Sequence, residues 1–314
     1  TIREFARRFE QKHIDMYLKP RTAEKYRAML RLYIIPKLGD RRMDEVTPDD
    51  VQEVHNSLKS MPCAANYMRC VLSVMYSKWE LWDRTSYRNP AEAVQRFEER
   101  EVERFLNPEE RQALERVLTT AEKIRSGKPG HIGREAIWGI RLLMLTGMRR
   151  DEIRDLCWEH VSWRQKTLRL PDSKTGKRDV VVSDEVMALL GEIAAAKSNP
   201  KRGLVVCSSR GKKLYSLDRS WARARELAGL TDVRLHDLRH SVASDAIMNG
   251  IPLEVVGKML GHKNYRTTQR YAHIADYVLR DAVNLTSKVI VRAGRSGAKA
   301  KRPRGSGAGL RSVR

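Results

Sequence analysis

The sequence predicts a mainly α-helical fold with one small β-sheet, divided into an all-α first domain and a mixed α+β second domain. Three observations lead to this prediction. Apolar residues recur at intervals of three and four along much of the 314-residue chain, which is the period of helices with one buried face. Helix-start signals recur, in which a capping residue precedes proline and acidic residues. Two short β-prone runs flank a single turn-forming segment.

The predicted first domain spans residues 1–97 and holds four helices. Apolar spacing alone marks the first two, whereas the next two begin at Pro48, which follows a capping threonine, and at Pro62. Pro90 breaks the helical pattern, and the charged stretch after it has little to bury, so residues 98–106 are predicted to be a linker. The helical period is carried by Ile2, Phe5, Phe9, Tyr26, Leu30, Tyr33, Val51, Val54, Leu58, Met68, Leu72, Met75 and Trp79.

The predicted second domain spans residues 107–291 and is mixed. It begins at Asn107, again a cap followed by proline and acids. The runs Thr167–Leu170 and Asp179–Val182 are predicted to form a hairpin, with Lys174 near its tip. Further helices are predicted over 184–196, 217–228, 236–249 and 253–260, bounded by glycine stops and a proline start.

The final segment, residues 292–314, is composed mostly of glycine, serine, alanine, lysine and arginine and contains no acidic residue. Such a composition cannot bury a core, so we expect a basic disordered tail that adds sequence-independent phosphate contacts.

The charge balance predicts a polyanionic partner. Lysine and arginine number 61 and aspartate and glutamate 39, which gives a net charge of +22, and nucleic acid fits such a surplus best. No apolar run approaches the roughly 20 residues that span a membrane, so no membrane partner is predicted and the chain is expected to be soluble and intracellular. The four cysteines are scattered, so we expect reduced structural thiols and no metal site.

Four segments combine arginine, histidine and tyrosine: Thr146–Arg149, His236–His240, Leu260–His262 and Arg270–Tyr271. Arginine grips phosphate oxygens bidentately and keeps its charge. His236 and the arginine three residues later share one face of a predicted helix and can converge on one phosphate. The combination predicts a phosphate-handling site with a tyrosine nucleophile.

Together with Glu152, these segments resemble the tyrosine recombinase, or phage integrase, family. Their order agrees, and Tyr271 follows His262 by the nine residues typical of that family. The resemblance covers nearly everything before the tail. It implies that residues 1–97 form a helical core-binding (SAM-like) DNA-binding domain and residues 107–291 a catalytic tyrosine recombinase domain. It further implies a site-specific recombinase that cuts and rejoins duplex DNA through a 3′-phosphotyrosyl intermediate, integrating or excising a mobile element.

The resemblance implies a role for each matching position. Tyr271 would attack the scissile phosphate, and Arg149 and Arg239 would hold its non-bridging oxygens. Lys174 would protonate the departing 5′-oxygen as the general acid. A nucleophile with a pKa of about 10 needs positive neighbours and a base, which fits this set.

The remaining positions would support that chemistry. His236 would accept the proton of the tyrosine or donate a hydrogen bond, and His262 would donate to a non-bridging oxygen. Glu152 would orient the basic residues through contacts with them rather than with the phosphate. His240 and His273 are expected to be structural or DNA-facing and stay outside the catalytic set.

Two positions have rivals nearby. Tyr265 is an alternative nucleophile, but only Tyr271 has the family spacing. Lys177 shares the turn of Lys174, and any lysine in a turn is commonly a solvated charge.

The resemblance also implies partners and a location. We expect two domains that clamp duplex attachment sites like a C, four protomers on two sites, and exchange through a four-way junction. Accessory DNA-bending or excision factors, and a cytoplasmic location at the bacterial nucleoid or in a phage-infected cell, are expected too. No cofactor is expected, because a phosphotyrosine conserves the bond energy. An apolar stripe of helical spacing would dock on a neighbouring protomer or on its own domain: Val278, Ala282, Leu285 and Val289.

Other functions remain open at this stage. A type IB topoisomerase shares the tyrosine and cation chemistry, but the separate helical domain and the Leu260–His262 segment favour a recombinase. A non-catalytic DNA-binding relative would be expected to lack a key residue, and none is lacking here. An RNA-binding module is disfavoured by the 6% aromatic content. Many integrases carry a further N-terminal arm-binding domain; either this member lacks it or it was removed.

Overall fold

The chain folds into two compact units, Thr1–Val102 and Glu103–Arg314. The structure, a computed structural model, describes residues 1–99, 104–171, 176–208, 211–214, 217–274 and 283–292. Helices dominate both units and the second also holds a small sheet. The predicted fold class, mainly α with a small β-sheet, is therefore confirmed.

The first unit is a helical bundle. Its helices are α1 (Ile2–Phe9), α2 (Asp15–Tyr17), α3 (Pro20–Met29), α4 (Ile35–Leu38), α5 (Pro48–Asn56) and α6 (Pro62–Asp83), with π-helical turns at Glu10–Ile14 and Leu30–Ile34. Helix α5 begins with a capping box, in which the Thr47 hydroxyl accepts from the Asp50 amide and the Asp50 carboxylate accepts from the Thr47 amide. Phe9, Leu30 and Met68 are among the fully buried side chains of its core.

The helices of the second unit surround one large core and a separate, smaller apolar cluster that includes Ala243, Val256 and Tyr271. They are α7 (Pro108–Lys123), α8 (Arg134–Thr146), α9 (Arg150–Arg154), α10 (Asp184–Ala196), α11 (Leu217–Leu227), α12 (Asp237–Met248), α13 (Leu253–Leu260) and α14 (Arg266–Gln269). Helix α8 is central, because it packs against α10, α11 and α12 and buries Ile137, Ile140 and Leu143.

The sheet has three antiparallel strands in the order β1 (Val161–Ser162), β2 (Thr167–Leu170) and β3 (Arg178–Val181). Leu168 lies opposite Val180 and both are buried. The hairpin pairing of β2 and β3 was predicted, whereas the two-residue strand β1 has no periodicity that a sequence could reveal. The predicted tip, including Lys174, lies outside the described residues.

Helix α12 is unusual because it buries polar side chains as well as apolar ones. The buried polar residues are Asp237, Arg239, His240, Ser241 and Ser244. Burial of a polar group costs free energy unless it is hydrogen-bonded. A helix with this composition is therefore a candidate for function.

A helical segment covers 283–292, and every one of its residues is exposed. Leu285 and Val289 of the predicted apolar stripe belong to it, whereas Val278 and Ala282 fall outside the described residues. Across the parts of the chain that the structure describes, no helix is both long enough and apolar enough for a membrane span.

Candidate active site

The turn between α8 and α9 places Arg149. Helix α8 ends at Gly147, whose φ of +60° is a left-handed conformation that favours glycine. A Cβ there would also lie 2.9 Å from a methyl carbon of Leu260 and 3.1 Å from Val242 Cβ, so a larger residue would force these side chains to shift. Arg149 follows at the start of α9, where its amide donates to Glu152 Oε2 and its Nη1 donates to Glu152 Oε1, each at 2.9 Å.

Glu152 lies between two arginines. Its side chain is 5% exposed, and Arg178 Nη2 from β3 donates to its Oε2 at 2.8 Å. Burial acts to raise the pKa of this carboxyl, but the Arg149 amide and the positive charge of Arg178 outweigh burial and lower it. Glu152 is therefore an ionised carboxylate that fixes Arg149 and Arg178.

Arg239 of α12 connects two turns of the chain. Its Nη1 donates to the carbonyl of Gly147 at 2.8 Å, and its Nη2 donates to the carbonyl of Leu260 at 2.7 Å. Burial, assisted by the charge of Arg149, lowers the pKa of this guanidinium to about 10. Arg239 therefore stays charged at neutral pH. Its guanidinium carries five N–H donors, and the two carbonyls engage one donor on each of two nitrogens.

His236 immediately precedes α12, and His262 follows the end of α13. Burial lowers the pKa of both imidazoles, to about 4 for His262, with Arg239 adding to each shift. His262 Nδ1 lies 2.9 Å from the hydroxyl of the buried Thr268. The two histidines are therefore neutral at pH 7, each with a ring that donates at one nitrogen and accepts at the other.

Gly261 allows Arg178 to reach this group. It ends α13 with a φ of +69°, and a Cβ at this position would overlap the Arg178 guanidinium. The charges of Arg149, Arg178 and Arg239 all act on His262. Three guanidinium groups thus gather around the Glu152 carboxylate, an excess of positive charge that suits an anionic phosphate.

Tyr271 follows α14 and lies against α12. It is 5% exposed and packs among apolar residues that include Ala243, Val256 and Leu260. Its hydroxyl oxygen lies 2.5 Å from His240 Nδ1. The rival Tyr265, by contrast, is 49% exposed.

The structure thus gathers six of the seven predicted site residues in the second unit: Arg149, Glu152, His236, Arg239, His262 and Tyr271. Lys174, the seventh, lies outside the described residues, and its neighbour Lys177 is exposed. Within the described ranges, no group of three or more histidine, cysteine, aspartate or glutamate side chains has an arrangement that could hold a metal ion.

Sequence reasoning missed two residues of this group. Arg178 immediately precedes a predicted strand and lies beside the predicted hairpin tip. A lone arginine at such a position has no pattern that marks it as a site residue. His240 belongs to the segment His236–His240 and was left outside the set as structural or DNA-facing. Its contact with Tyr271 joins residues 31 positions apart, which spacing along one helix could not reveal.

Two family models match the chain. The model described as the phage integrase family matches residues 104–277, and the model described as the phage integrase N-terminal SAM-like domain matches residues 1–59.

Similar proteins include integrases and recombinases. A prophage integrase, IntF, of Escherichia coli K12 is 32% identical over 127 residues, which are 40% of this chain and 27% of the relative. The shufflon-specific DNA recombinase of Escherichia coli is 25% identical over 283 residues, 85% of this chain and 68% of the relative. A putative prophage phiRv2 integrase of Mycobacterium tuberculosis H37Rv is 26% identical over 287 residues, 87% of this chain and 75% of the relative. The chain thus spans about a quarter of the first relative's length.

Solved structures share the fold. A lambda integrase(75–356) dimer bound to a COC′ core site matches with a TM-score of 0.69 and 19% identity, covering 85% of this chain and 94% of that one. A lambda integrase tetramer bound to a Holliday junction matches with a TM-score of 0.66 and 19% identity, and the match covers 83% of this chain and 77% of that one. Because the phage integrase model matches more than half of the sequence, the chain belongs to the phage integrase family.

Proposed function

We propose that this chain is a tyrosine-type site-specific DNA recombinase, which cuts and rejoins duplex DNA to integrate or excise a mobile element. The observation that carries the proposal is the packing of Tyr271 against α12, the helix that also carries Arg239. A buried tyrosine beside a cluster of guanidinium groups is an arrangement suited to attack on a phosphodiester. Membership of the family and the names of the relatives support the same reaction.

In the proposed reaction, the Tyr271 oxygen attacks the scissile phosphorus. A bond forms between that oxygen and phosphorus, the bond to the 5′-oxygen breaks, and the DNA end is left as a 3′-phosphotyrosyl ester beside a free 5′-hydroxyl. Lys174 supplies the proton to the leaving 5′-oxygen. His236 accepts the proton of the tyrosine, or donates a hydrogen bond while solvent water takes that proton. Rejoining is the same sequence in reverse, with the 5′-hydroxyl of another strand as the nucleophile.

The arginines stabilise the charge that develops in this reaction. Arg149 and Arg239 hold the non-bridging oxygens, His262 donates to one of them, and Glu152 keeps Arg149 in place through two hydrogen bonds. Preorganised donors of this kind act without reorganisation at the moment of attack. No cofactor is required in this scheme, because the phosphotyrosyl ester conserves the energy of the broken bond.

We assign DNA binding to both predicted domains, residues 1–97 and 107–291, with residues 98–106 as the linker and residues 292–314 as a basic tail. The net charge of +22 supports phosphate contacts as the main source of affinity. Base readout is assigned in large part to the first domain. The proposed site of action is the cytoplasm, on the bacterial nucleoid or in a phage-infected cell.

The proposed assembly is a homotetramer on two duplex attachment sites that exchanges strands in two pairs through a four-way junction. The similar lambda integrase tetramer on a Holliday junction supports this. The exposed apolar side chains of 283–292, including Leu285 and Val289, support docking of that helix on a neighbouring protomer. DNA-bending or excision factors complete the proposed set of partners.

Covalent trapping tests the proposed reaction. The protein is incubated with nicked duplexes taken from the DNA flanking its own gene, and the products are separated on denaturing gels. We expect a denaturation-resistant adduct of protein and DNA that Tyr271→Phe abolishes. Tyr265→Phe is the matched control and should retain the adduct. Binding of every half-site without an adduct, or an adduct that survives Tyr271→Phe, would contradict the proposal. Relaxation of supercoiled plasmids that lack these sites would instead indicate a topoisomerase.

A further inference from the structure

The contact between Tyr271 and His240 has no place in the mechanism above. His240 is 8% exposed, and its Nδ1 lies 2.5 Å from the Tyr271 hydroxyl oxygen. The two rings are tilted against each other with centroids 5.8 Å apart. His240 therefore meets the proposed nucleophile at hydrogen-bonding distance, at the atom that would attack phosphorus.

The surroundings hold this pair in a defined arrangement. Tyr271 lies among the apolar side chains of a small cluster that includes Ala243 and Ile274. His240 is held on α12 directly after Arg239, whose guanidinium bonds two backbone carbonyls. One helix turn therefore fixes both a proposed phosphate-binding arginine and the partner of the tyrosine hydroxyl.

We propose that His240 is a positioning residue for the nucleophile: its Nδ1 accepts the hydrogen bond of the Tyr271 hydroxyl and fixes the direction of that oxygen. This inference rests on the proposed strand-cleavage function and adds one residue to it. A phenol ring in an apolar cluster can rotate and slide, and a buried acceptor at a fixed distance removes that freedom. Loss of the acceptor would leave Tyr271 in its cluster but with its oxygen misdirected.

The electrostatic state of His240 agrees with an acceptor role. Burial, and after it the neighbouring His236, lowers the pKa of the His240 imidazole to about 4. The ring is therefore neutral at pH 7, so one ring nitrogen carries a lone pair that can accept from the phenol. An imidazolium is disfavoured at this position, so His240 directs the hydroxyl without keeping its proton.

Two substitutions of His240 distinguish the effect of losing the hydrogen-bond acceptor from the effect of changing the side-chain volume. His240→Asn places an amide oxygen near the position of Nδ1, whereas His240→Leu has nearly the same shape and no acceptor. His240→Gln is also polar but places its amide farther out, so it serves as a second test in case the leucine variant folds poorly. Ser244→Ala, one turn along α12, is the control, because the buried Ser244 hydroxyl has no hydrogen-bond partner within the described residues.

The experiment combines three measurements on the full chain with a nicked duplex. Single-turnover rates of adduct formation report cleavage, fluorescence anisotropy reports the Kd for the same duplex, and ¹⁹F NMR of 3-fluorotyrosine at position 271 reports the environment of the hydroxyl. We expect His240→Leu and His240→Gln to slow cleavage by about 100-fold at unchanged Kd and to shift the fluorine resonance. His240→Asn should cleave within about tenfold of the native rate, and Ser244→Ala should match it.

Specific outcomes overturn the inference. Cleavage by His240→Leu at or above the native rate would exclude a positioning role, and so would an asparagine variant that folds normally yet cleaves as slowly as the leucine variant. If the native chain forms no adduct with any half-site, the proposed recombinase function is refuted. The role of His240 in positioning Tyr271 for cleavage is then refuted as well. The fluorine resonance would then still decide whether the hydrogen bond between His240 and Tyr271 exists.

Discussion

Glu152→Gln should destabilise the second unit strongly, because it removes the carboxylate that lies between Arg149 and Arg178. The N to O distances are 2.9 and 2.8 Å, and the Glu152 side chain is only 5% exposed. At an effective dielectric constant of about 20, each pair of charges about 4 Å apart interacts by about 4 kcal/mol. Removal of one partner of a buried ion pair costs about 3 to 5 kcal/mol. Because glutamine keeps one acceptor and Arg149 is partly solvated, we expect a loss of about 3 kcal/mol of unfolding free energy.

Urea unfolding at pH 7, followed by circular dichroism, measures this loss. Glu192→Gln on the exposed face of α10 is the matched control and should change stability by no more than about 0.5 kcal/mol. A Glu152→Gln variant within the same limit of the native protein would refute the proposed electrostatic role of this carboxylate.

The pH dependence gives an independent test of the same reasoning. The pKa of Glu152 is lowered in the folded chain, so its stabilising contribution is fully present above the unfolded value of about 4.3. That contribution is lost as the pH falls through the lowered pKa. The stability gap between the native chain and Glu152→Gln should therefore be constant from pH 5 to pH 7 and shrink in stronger acid. A gap that stays unchanged at low pH would contradict the assignment of an ionised carboxylate.

Three further predictions concern the same site. Gly147→Ala should lower the unfolding free energy by about 2 kcal/mol, because it combines a positive φ with a steric overlap. Gly191→Ala in α10, where a Cβ meets open space, should instead raise the unfolding free energy by up to about 1 kcal/mol. Urea midpoints for both variants that equal the midpoint of the native chain would contradict both predictions. Arg239→Lys should slow single-turnover cleavage by about 100- to 1000-fold without unfolding α12, since a compact ammonium group lacks the planar fork that reaches two separate carbonyls and presents further N–H groups to a phosphate; a near-native rate would exclude Arg239 from the site. The pKa values of His240 and His262 are lowered to about 4, so stability should fall by about 1 kcal/mol for each between pH 7 and pH 5 after allowance for solvent screening, and the double asparagine variant should lose this dependence.

Local signals predicted the starts of several helices but not every helix, since the central α8 (Arg134–Thr146) was not predicted. A capping residue followed by proline and acidic residues correctly predicted the starts of α5 (Pro48–Asn56) and α7 (Pro108–Lys123). Proline after a capping residue favours the first turn of a helix, because its φ is already helical and its missing N–H is not needed there. The π-helical turns at Glu10–Ile14 and Leu30–Ile34 were not predicted. An inserted residue changes the apolar spacing at one point only, as between the buried Phe9 and Ile14, which lie five positions apart. A search for regular intervals of three and four does not recognise such a single interruption as a π-helical turn.

The site was predictable where its residues are close in sequence. Arg149 and Glu152 are three residues apart, and the structure places the two in direct hydrogen bonds at the start of α9. Arg178 and His240 were missed for a different reason. Their partners, Glu152 and Tyr271, lie 26 and 31 residues away, and only the packing of β3 on α9 and of Tyr271 on α12 brings them together.

The burial of polar groups on α12 explains why structure and chemistry are difficult to separate at this site. Arg239 holds the carbonyls of Gly147 and Leu260, which end the two helices that precede Arg149 and His262. A buried guanidinium without these partners would carry a large desolvation cost, so the two turns and the arginine stabilise one another. The same bonds fix the turns that precede Arg149 and His262 relative to each other. The hydrogen bonds of Arg239 within the chain therefore hold these two turns in one arrangement, which is the preorganisation that electrostatic stabilisation of a transition state requires.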